Sequence, residues 1–171
     1  MAFSACVLTV STRGARGERQ DESGEKVSEM LARLPAEIVA RAVVGDDVAE
    51  IREQLKTWIR AAAPDLIVLT GGTGLSPQDV TPQALLPMLD YLIPGMGEAM
   101  RAAGLRKTPH AMLSRSLAGV TGKPSSWRCQ VARGASRTAS RRSSKPCPMD
   151  CARSAERSGT HPRRTVPADR L

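Results

Sequence analysis

The sequence predicts an α/β fold, in which a mostly parallel β-sheet lies between two layers of helices. Short apolar runs that fit buried strands alternate with longer segments in which apolar residues recur at helical spacing. The composition changes abruptly after residue 123. This change predicts a domain over residues 1–123 that is followed by a disordered basic tail over residues 124–171.

Two apolar runs are the clearest strand candidates. Residues 5–10 and 65–70 are nearly continuously apolar, as expected for parallel strands that are buried on both faces. Residues 37–44 are predicted to be a further strand, and residues 111–120 a final strand or strand pair.

The segments between these strands have the apolar spacing of helices. One helix is predicted up to Leu34, before Pro35, and another begins near Asp46. A third is predicted over residues 81–92, followed by a turn and a short helix up to Met100. Strands that alternate with helices indicate βαβ units.

Ligands of such sheets bind beyond the carboxyl ends of the strands. The loops predicted to lie there are residues 11–17, 45–47 and 71–79. The functional residues are therefore expected in these three loops.

The loop after the 65–70 strand is rich in glycine, since residues 70–74 read Thr-Gly-Gly-Thr-Gly. Glycine tolerates positive φ, and successive amides in such a turn can bind phosphate. The loop lacks the Gly-Lys-Ser/Thr ending of a P-loop. Two interpretations stay open: a phosphate-binding nest, or a flexible connection between a strand and a helix.

Three aspartates in these loops are also ambiguous. Asp79 precedes a predicted helix, so it is either the N-cap or a carboxylate that faces a metal ion. Of Asp46 and Asp47, one is expected to cap a helix and the other to face the cleft. Two carboxylates at two strand ends suit a Mg²⁺–nucleotide site, because Mg²⁺ takes one or two carboxylates plus phosphate oxygens.

Several segments occur in the order of a known family. Residues 70–82 read Thr-Gly-Gly-Thr-Gly-Leu-Ser-Pro-Gln-Asp-Val-Thr-Pro, residues 94–98 Pro-Gly-Met-Gly-Glu, and residues 111–115 Ala-Met-Leu-Ser-Arg. Residues 10–13 and 21–24 fall where the family has a Ser-Asp-Arg turn and an Asp-x-Ser-Gly helix start. Together they resemble the molybdopterin-binding family of molybdenum cofactor biosynthesis, the MoaB/Mog-like molybdopterin adenylyltransferases.

The resemblance covers about residues 5–123 and implies an α/β/α domain that forms a homotrimer or hexamer. It implies transfer of AMP from Mg-ATP to the phosphate of molybdopterin, with release of pyrophosphate. Asp46 and Asp79 are then the catalytic carboxylates and the ligands of Mg²⁺. A non-catalytic pterin-binding protein of the same family is the alternative. The implied substrate-binding residues are Ser11, Thr70, Gly71, Gly72, Thr73, Gly74, Ser76, Gly97, Glu98, Ser114 and Arg115.

The sequence departs from the family pattern in the predicted binding loops. Gly45 stands where proline is common, Thr12 where aspartate is common, and Gln83 where glutamate or aspartate is frequent. Gln78 replaces a frequent arginine, and the missing cation is expected to weaken the affinity for phosphate.

The net charge of +8 is confined to the tail. Residues 1–123 carry 14 basic and 14 acidic side chains, whereas residues 124–171 carry 11 basic and 3 acidic ones. The tail lacks aromatic platforms and a recognisable motif, so nucleic acid is not expected as a partner. No apolar run is long enough for a membrane span and the N-terminus has no secretory signal, so a cytoplasmic location is expected.

The tail is further predicted to be an out-of-frame translation, because the family has a core strand, a Leu-Pro-Gly-Ser-Pro turn and a closing helix here. If residues 126–133 are written as codons with suitable third bases, reading from each third base gives Val-Ala-Leu-Pro-Gly-Ser-Pro. Continuing through Cys147 gives Arg-Gly-Val-Glu-Asp-Gly-Leu-Glu-Ala-Val-Leu-Glu-Ala-Leu, an amphipathic helix. The domain over residues 1–123 is then expected to be C-terminally incomplete, without one strand and one helix, and an inactive frameshifted product is another alternative.

Overall fold

The computed structural model of the chain describes residues 2–122 and 128–133. Within these residues it has a sheet of six strands, with α-helices and two short 3₁₀ helices between them. In chain order the elements are β1 (Phe3–Val10), α1 (Thr12–Ala15), α2 (Glu22–Leu31), β2 (Ala36–Val44), α3 (Val48–Ala61), β3 (Leu66–Thr70), α4 (Thr81–Leu85), a 3₁₀ helix (Leu86–Met88), β4 (Tyr91–Leu92), α5 (Pro94–Leu105), a second 3₁₀ helix (Pro109–Leu113), β5 (Leu117–Thr121) and β6 (Arg128–Arg133).

The strands lie in the order β2-β1-β3-β6-β5-β4. β1 is parallel to β2 and to β3, and β3 is parallel to β6. β5 is antiparallel to its two neighbours, β4 and β6. The prediction of a mostly parallel sheet is confirmed, and an antiparallel strand near one edge is added to it.

Helices cover both faces of the sheet. One face is packed against α3 and α4, in a cluster of Cys6, Leu8, Val10, Ile51, Leu55, Trp58, Ile67, Leu69, Ala84 and Leu85. The other face is packed against α2, in a cluster of Ala5, Val7, Val27, Leu31 and Val68. Alternate residues of β1 belong to different clusters because successive side chains of a strand point to opposite faces. The three-layer α/β/α architecture is therefore confirmed.

The helix predicted over residues 81–92 is shorter than expected. α4 ends at Leu85, one 3₁₀ turn follows, and the last predicted residues form β4. Pro87 accounts for this difference, because proline has no N–H to donate within a helix. Leu89 is then extended, with φ −97° and ψ 134°.

The strand predicted over residues 111–120 is also only partly correct. Its first residues belong to the 3₁₀ helix Pro109–Leu113, where Thr108 Oγ1 accepts a hydrogen bond from His110 N at 3.4 Å. The strand β5 begins only at Leu117. Conversely, α5 continues to Leu105, beyond the predicted end at Met100.

The predicted end of the domain at residue 123 needs a correction. Residues 128–133 form β6, which lies inside the sheet between β3 and β5. The residues of this strand, Arg-Cys-Gln-Val-Ala-Arg, do not form an apolar run, so a search for apolar runs misses it.

By its contacts the chain divides into residues 1–137 and residues 138–171. The second unit lies outside the described residues, as do residues 123–127 and 134–137. The expected disorder of the tail therefore stays a prediction. In the part of the chain that is described, no helix is long and apolar enough to cross a membrane.

Candidate active site

A cavity of about 790 Å³ opens at the carboxyl ends of β1 and β3. This volume is in the range of pockets that hold cofactor-sized ligands. The three loops predicted from the sequence contribute to its wall. The lining residues are those at positions 9–14, 19–23 and 70–74, with Val43, Asp46, Ser76, Gln78 and Asp79.

Two glycines give the 70–74 loop its shape. Gly71 and Gly72 have φ values of +100° and +59°, in the left-handed region that side chains disfavour. A Cβ atom at Gly71 would overlap Val10 O, and one at Gly72 would overlap Thr81 Oγ1. The loop therefore depends on glycine both for its backbone angles and for its close approach to β1.

The first turn of α4 holds this loop in place. Thr81 is fully buried, and its Oγ1 donates a hydrogen bond to Gly71 O at 2.9 Å. Thr81 N also donates to Gly72 O at 3.0 Å. These two hydrogen bonds tie the loop to the start of α4, while phosphate binding by the loop stays a prediction.

Asp46 and Asp47 divide the two roles that the sequence left open. Asp47 is the N-cap of α3, and its Oδ1 accepts hydrogen bonds from Ala49 N at 2.8 Å and Glu50 N at 2.9 Å. Asp46 lines the cavity, and its Oδ2 accepts hydrogen bonds from Thr12 N at 2.8 Å and Thr12 Oγ1 at 2.7 Å. Asp46 is therefore oriented by the β1–α1 junction.

Asp79 is not a helix cap. The N-cap of α4 is Val80, which makes no side-chain capping bond. Asp79 Oδ2 instead accepts a hydrogen bond from Ser76 N at 2.8 Å, and Asp79 N donates to Ser76 O at 2.9 Å. These bonds close the turn between the glycine loop and α4 and leave Asp79 on the cavity wall.

Gly97, Glu98, Ser114 and Arg115 do not line the cavity. Arg115 lies behind the glycine loop, where its Nε donates to Gly74 O at 2.8 Å and its guanidinium also donates to Asp79 O. Arg115 N donates to Thr73 O at 2.8 Å. This arginine therefore fixes the loop from outside. The binding roles expected for these four residues stay predictions.

The other three residues lie in α5 or in the segment before β5. Gly97 is buried against the segment before β5, where an added Cβ would lie 2.9 Å from Ser116 O. Ser114 Oγ shares a 2.7 Å hydrogen bond with Ser116 Oγ, while Glu98 is exposed on α5. The remaining predicted residues, Ser11, Thr70, Gly71, Gly72, Thr73, Gly74 and Ser76, all line the cavity.

The sequence matches the family described as "Probable molybdopterin binding domain" over residues 6–133, which is most of the chain. The chain belongs to this family. The match extends through β6, in agreement with the corrected end of the domain.

Relatives of this molybdopterin-binding chain have consistent names. It is 38% identical over 119 residues to a "Molybdopterin adenylyltransferase" of Pyrococcus furiosus, covering 69% of each chain. It is 41% identical over 112 residues to a "Molybdenum cofactor biosynthesis bifunctional protein" of Synechococcus elongatus, covering 66% of this chain but only 35% of that protein. The crystal structure of the "Molybdopterin biosynthesis enzyme MoaB" of Thermus thermophilus superposes with a TM-score of 0.71 at 43% identity, covering 78% of this chain and 82% of that one. The chain thus belongs to molybdenum cofactor biosynthesis.

The loop between α1 and α2 supplies cavity residues that the predicted site omitted. Asp21 caps α2 through a 2.9 Å hydrogen bond from Gly24 N to its Oδ1. Its Oδ2 accepts a 2.9 Å hydrogen bond from Thr9 Oγ1 and lies 3.7 Å from Arg41. The Asp-x-Ser-Gly motif contained this residue, so the motif itself was the signal that could have added Asp21 to the site.

The described residues contain no group of three or more His, Cys, Asp or Glu side chains arranged to hold a metal ion. Asp46 and Asp79 are the carboxylates that the β2–α3 loop and the glycine loop contribute to the cavity. One oxygen of each, Oδ2, is engaged with the chain. For Oδ1 of these two residues no hydrogen bond occurs among the residues described. Such a pair fits an ion that takes its other ligands from phosphate and water, as Mg²⁺ does.

Proposed function

We propose that this chain is a molybdopterin adenylyltransferase, which transfers AMP from Mg-ATP to the phosphate of molybdopterin. The observation that carries the proposal is that one cavity is lined by the glycine loop together with Asp46 and Asp79. The adenylyltransferase name of the Pyrococcus furiosus relative supports the same reaction.

The reaction is a nucleotidyl transfer in which atoms and charge balance. An oxygen of the molybdopterin phosphate bonds to the α-phosphorus of ATP, and the bond from that phosphorus to the bridging oxygen of the β-phosphate breaks. Pyrophosphate leaves with the electron pair. A phosphate nucleophile is already ionised at neutral pH, so catalysis consists mainly of positioning and charge stabilisation.

The glycine loop is suited to positioning because it is held rigidly. Gly71 and Gly72 allow its left-handed backbone, and Thr81 and Arg115 fix it through hydrogen bonds to its carbonyl groups. We propose that Thr70, Thr73 and this backbone bind the pterin or its phosphate. A ligand that meets a preorganised loop loses less of its binding free energy in ordering it.

Asp46 and Asp79 would hold Mg²⁺ through their Oδ1 atoms, which accept no hydrogen bond from the residues that the structure describes. When bound, the ion would neutralise charge on the ATP phosphates. Thr12 and Ser76 N orient the two carboxylates through Oδ2. Thr12, although it departs from the family pattern, therefore still serves the site by fixing Asp46.

The decisive experiment measures pyrophosphate release and AMP–pterin formation from Mg-ATP and molybdopterin, with Asp46→Asn and Asp79→Asn as the variants. Asparagine keeps an acceptor for Thr12 or Ser76 N but loses the charge that binds the metal ion. Loss of a metal ligand is expected to lower kcat by at least about 100-fold.

Asp47→Asn is the matched control, because it removes the same charge next to Asp46 while asparagine remains a good N-cap. Its activity is expected to stay within about threefold of wild type. Pterin binding by the wild-type chain without release of pyrophosphate would instead identify a non-catalytic pterin-binding protein. Equal losses in all three variants would remove the metal-binding role from Asp46 and Asp79.

We further propose that the chain forms a homotrimer or hexamer. Among the described residues, most of the exposed large apolar side chains lie between α4 and β5: Leu86, Tyr91, Leu92, Met96, Leu105, Met112 and Leu113. Tyr91 and Leu92 form β4, which is an edge strand of the sheet. Apolar surface beside an exposed edge favours association with another copy. Sedimentation equilibrium would measure the state, and a monomer at micromolar concentration would contradict the proposal.

A further inference from the structure

The charge of the cavity wall does not match the charge of its proposed substrates. Four carboxylates line it, from Asp21, Glu22, Asp46 and Asp79. ATP and the phosphate of molybdopterin are both anionic, so this wall repels them unless cations compensate. One divalent ion between Asp46 and Asp79 cancels only their own charge, so further positive groups are needed.

Arg13 and Arg19 are the arginines on this wall. Arg13 lies in α1, and Arg19 lies in the loop that leads to α2. Both side chains are exposed, and neither forms a hydrogen bond or an ion pair with the residues that the structure describes. The two guanidinium groups are therefore available to a ligand.

Other arginines near the site are already occupied. Arg115 donates to the carbonyl groups of the glycine loop, and Arg41 lies 3.7 Å from Asp21. Gln78, on the glycine-loop side of the cavity, is uncharged. Positive charge is thus available on the wall formed by the β1–α2 connection and is absent at Gln78.

We propose that Arg13 and Arg19 form the polyphosphate-binding pair of this site and bind the β- and γ-phosphates of the nucleotide. This assignment rests on the proposed adenylyl transfer for the identity of the nucleotide. The arginine fork matches phosphate oxygens in a bidentate manner and stays charged at every working pH. The two phosphates held in this way are those that leave as pyrophosphate.

The test uses the full chain and calorimetry in Mg²⁺ with tripolyphosphate, ATP and adenosine as probes. Arg13→Gln and Arg19→Gln are each expected to weaken the binding of tripolyphosphate and ATP by about 10- to 100-fold, the value of one hydrogen bond to a charged group. The affinity for adenosine should stay within about twofold, because adenosine has no phosphate. The decline of ATP affinity with added salt should also be shallower in both variants.

Arg16→Gln is the matched control, since Arg16 lies between the two proposed residues in sequence but does not line the cavity. It should leave tripolyphosphate binding unchanged. Adding Gln78→Arg to Arg19→Gln should restore most of the lost affinity, because it returns a cation to the same cavity. Because Arg13 and Arg19 are exposed, their replacement is not expected to unfold the domain. Circular dichroism of each variant checks that it is folded.

The outcomes separate this inference from the proposed function. If the wild type transfers AMP but Arg13→Gln and Arg19→Gln behave like Arg16→Gln, the polyphosphate pair is wrong and the enzyme proposal stands. If tripolyphosphate binding depends on both arginines but no pyrophosphate is released, the pair stands and the transfer reaction fails. If the variants lose affinity for a phosphate monoester and keep it for tripolyphosphate, the pair is overturned. Absence of any tripolyphosphate binding by the wild type overturns it as well.

Discussion

The strands β3 and β6 lie side by side, parallel and in register, yet their sequences differ in kind. β3 reads Leu-Ile-Val-Leu-Thr, and its Ile67 and Leu69 are fully buried. β6 reads Arg-Cys-Gln-Val-Ala-Arg, with Gln130 in register with Ile67. An interior strand of a sheet covered by helices on both faces normally carries apolar residues throughout. The topology thus gives β6 a position that its residues do not suit.

The out-of-frame hypothesis offers an explanation of this mismatch. If residues 126–133 are written as codons with suitable third bases, reading from each third base places Val-Ala-Leu at positions 126–128 and Pro-Gly-Ser-Pro at positions 129–132. The three apolar residues suit the end of an interior strand that begins before residue 126, and the turn follows it. We propose that the polar residues of β6 pair with β3 in place of that apolar strand. The coding DNA tests this directly, since a single-base insertion or deletion relative to close relatives is expected near codons 118–135.

Restoring the shifted frame should have the largest effect on this comparison. We expect that replacing residues 126–146 with the 21-residue shifted-frame sequence raises the free energy of unfolding by at least about 3 kcal/mol. The reason is that several newly apolar side chains would be buried at about 1.5–3 kcal/mol each, less the entropy of ordering the helix. Urea unfolding followed by circular dichroism measures the change.

The control for that replacement is a chain with the same 21 residues in scrambled order. It has the same composition but neither strand nor helix periodicity, so it should give no gain. An equal gain from both chains would mean that composition alone stabilises the protein. No gain from either would show that the present β6 already satisfies its position.

Cysteine labelling compares the two regions at single residues. Cys6 is fully buried in β1, and burial raises the pKa of its thiol, so it should react only when the domain opens. Cys147, in the part of the tail predicted to be disordered, should react at least about 100 times faster with a thiol reagent in single-cysteine variants. Mass spectrometry of the labelled variants gives both rates.

Cys129 decides the comparison, because it belongs to β6 and is in register with Leu66. Labelling of Cys129 at an intermediate rate is expected for a strand that forms but is weakly held. A rate equal to that of Cys147 would mean that β6 does not persist in solution. A rate equal to that of Cys6 would contradict the mismatch between this strand and its position.

The parts of the fold that were predictable from the sequence have strong periodic signals. The apolar runs at residues 5–10 and 65–70 became β1 and β3, because buried parallel strands need such runs. The prediction of one helix over residues 81–92 was wrong, because the apolar spacing continues through this segment whereas Pro87 interrupts the helix. The strand β6 was not predicted, because its place in the sheet comes from pairing with β3 and β5 and its own residues carry no apolar pattern.

In the site, too, the features set by the local sequence were predictable, and those set by contacts between distant residues were not. The glycine loop was predictable because positive φ at Gly71 and Gly72 is a local demand. The choice between Asp46 and Asp47 was not, because it depends on a hydrogen bond from Thr12, which is distant in sequence. Arg115, which the resemblance implies as a substrate-binding residue, donates hydrogen bonds to the glycine loop, a contact that no spacing rule reveals.

A reciprocal pair of substitutions gives the sharpest comparison of the two strands, and its Gln130→Ile member has the smallest expected effect. Ile67→Gln is expected to lower the free energy of unfolding by about 3 kcal/mol, because it removes a fully buried apolar side chain and places an amide there. Gln130→Ile, at the paired position of β6, is expected to raise it by about 1 kcal/mol. Urea midpoints at constant m-value measure both changes. A destabilising Gln130→Ile would mean that the glutamine makes specific hydrogen bonds in the sheet, and β6 would then be a strand whose polar residues suit its place.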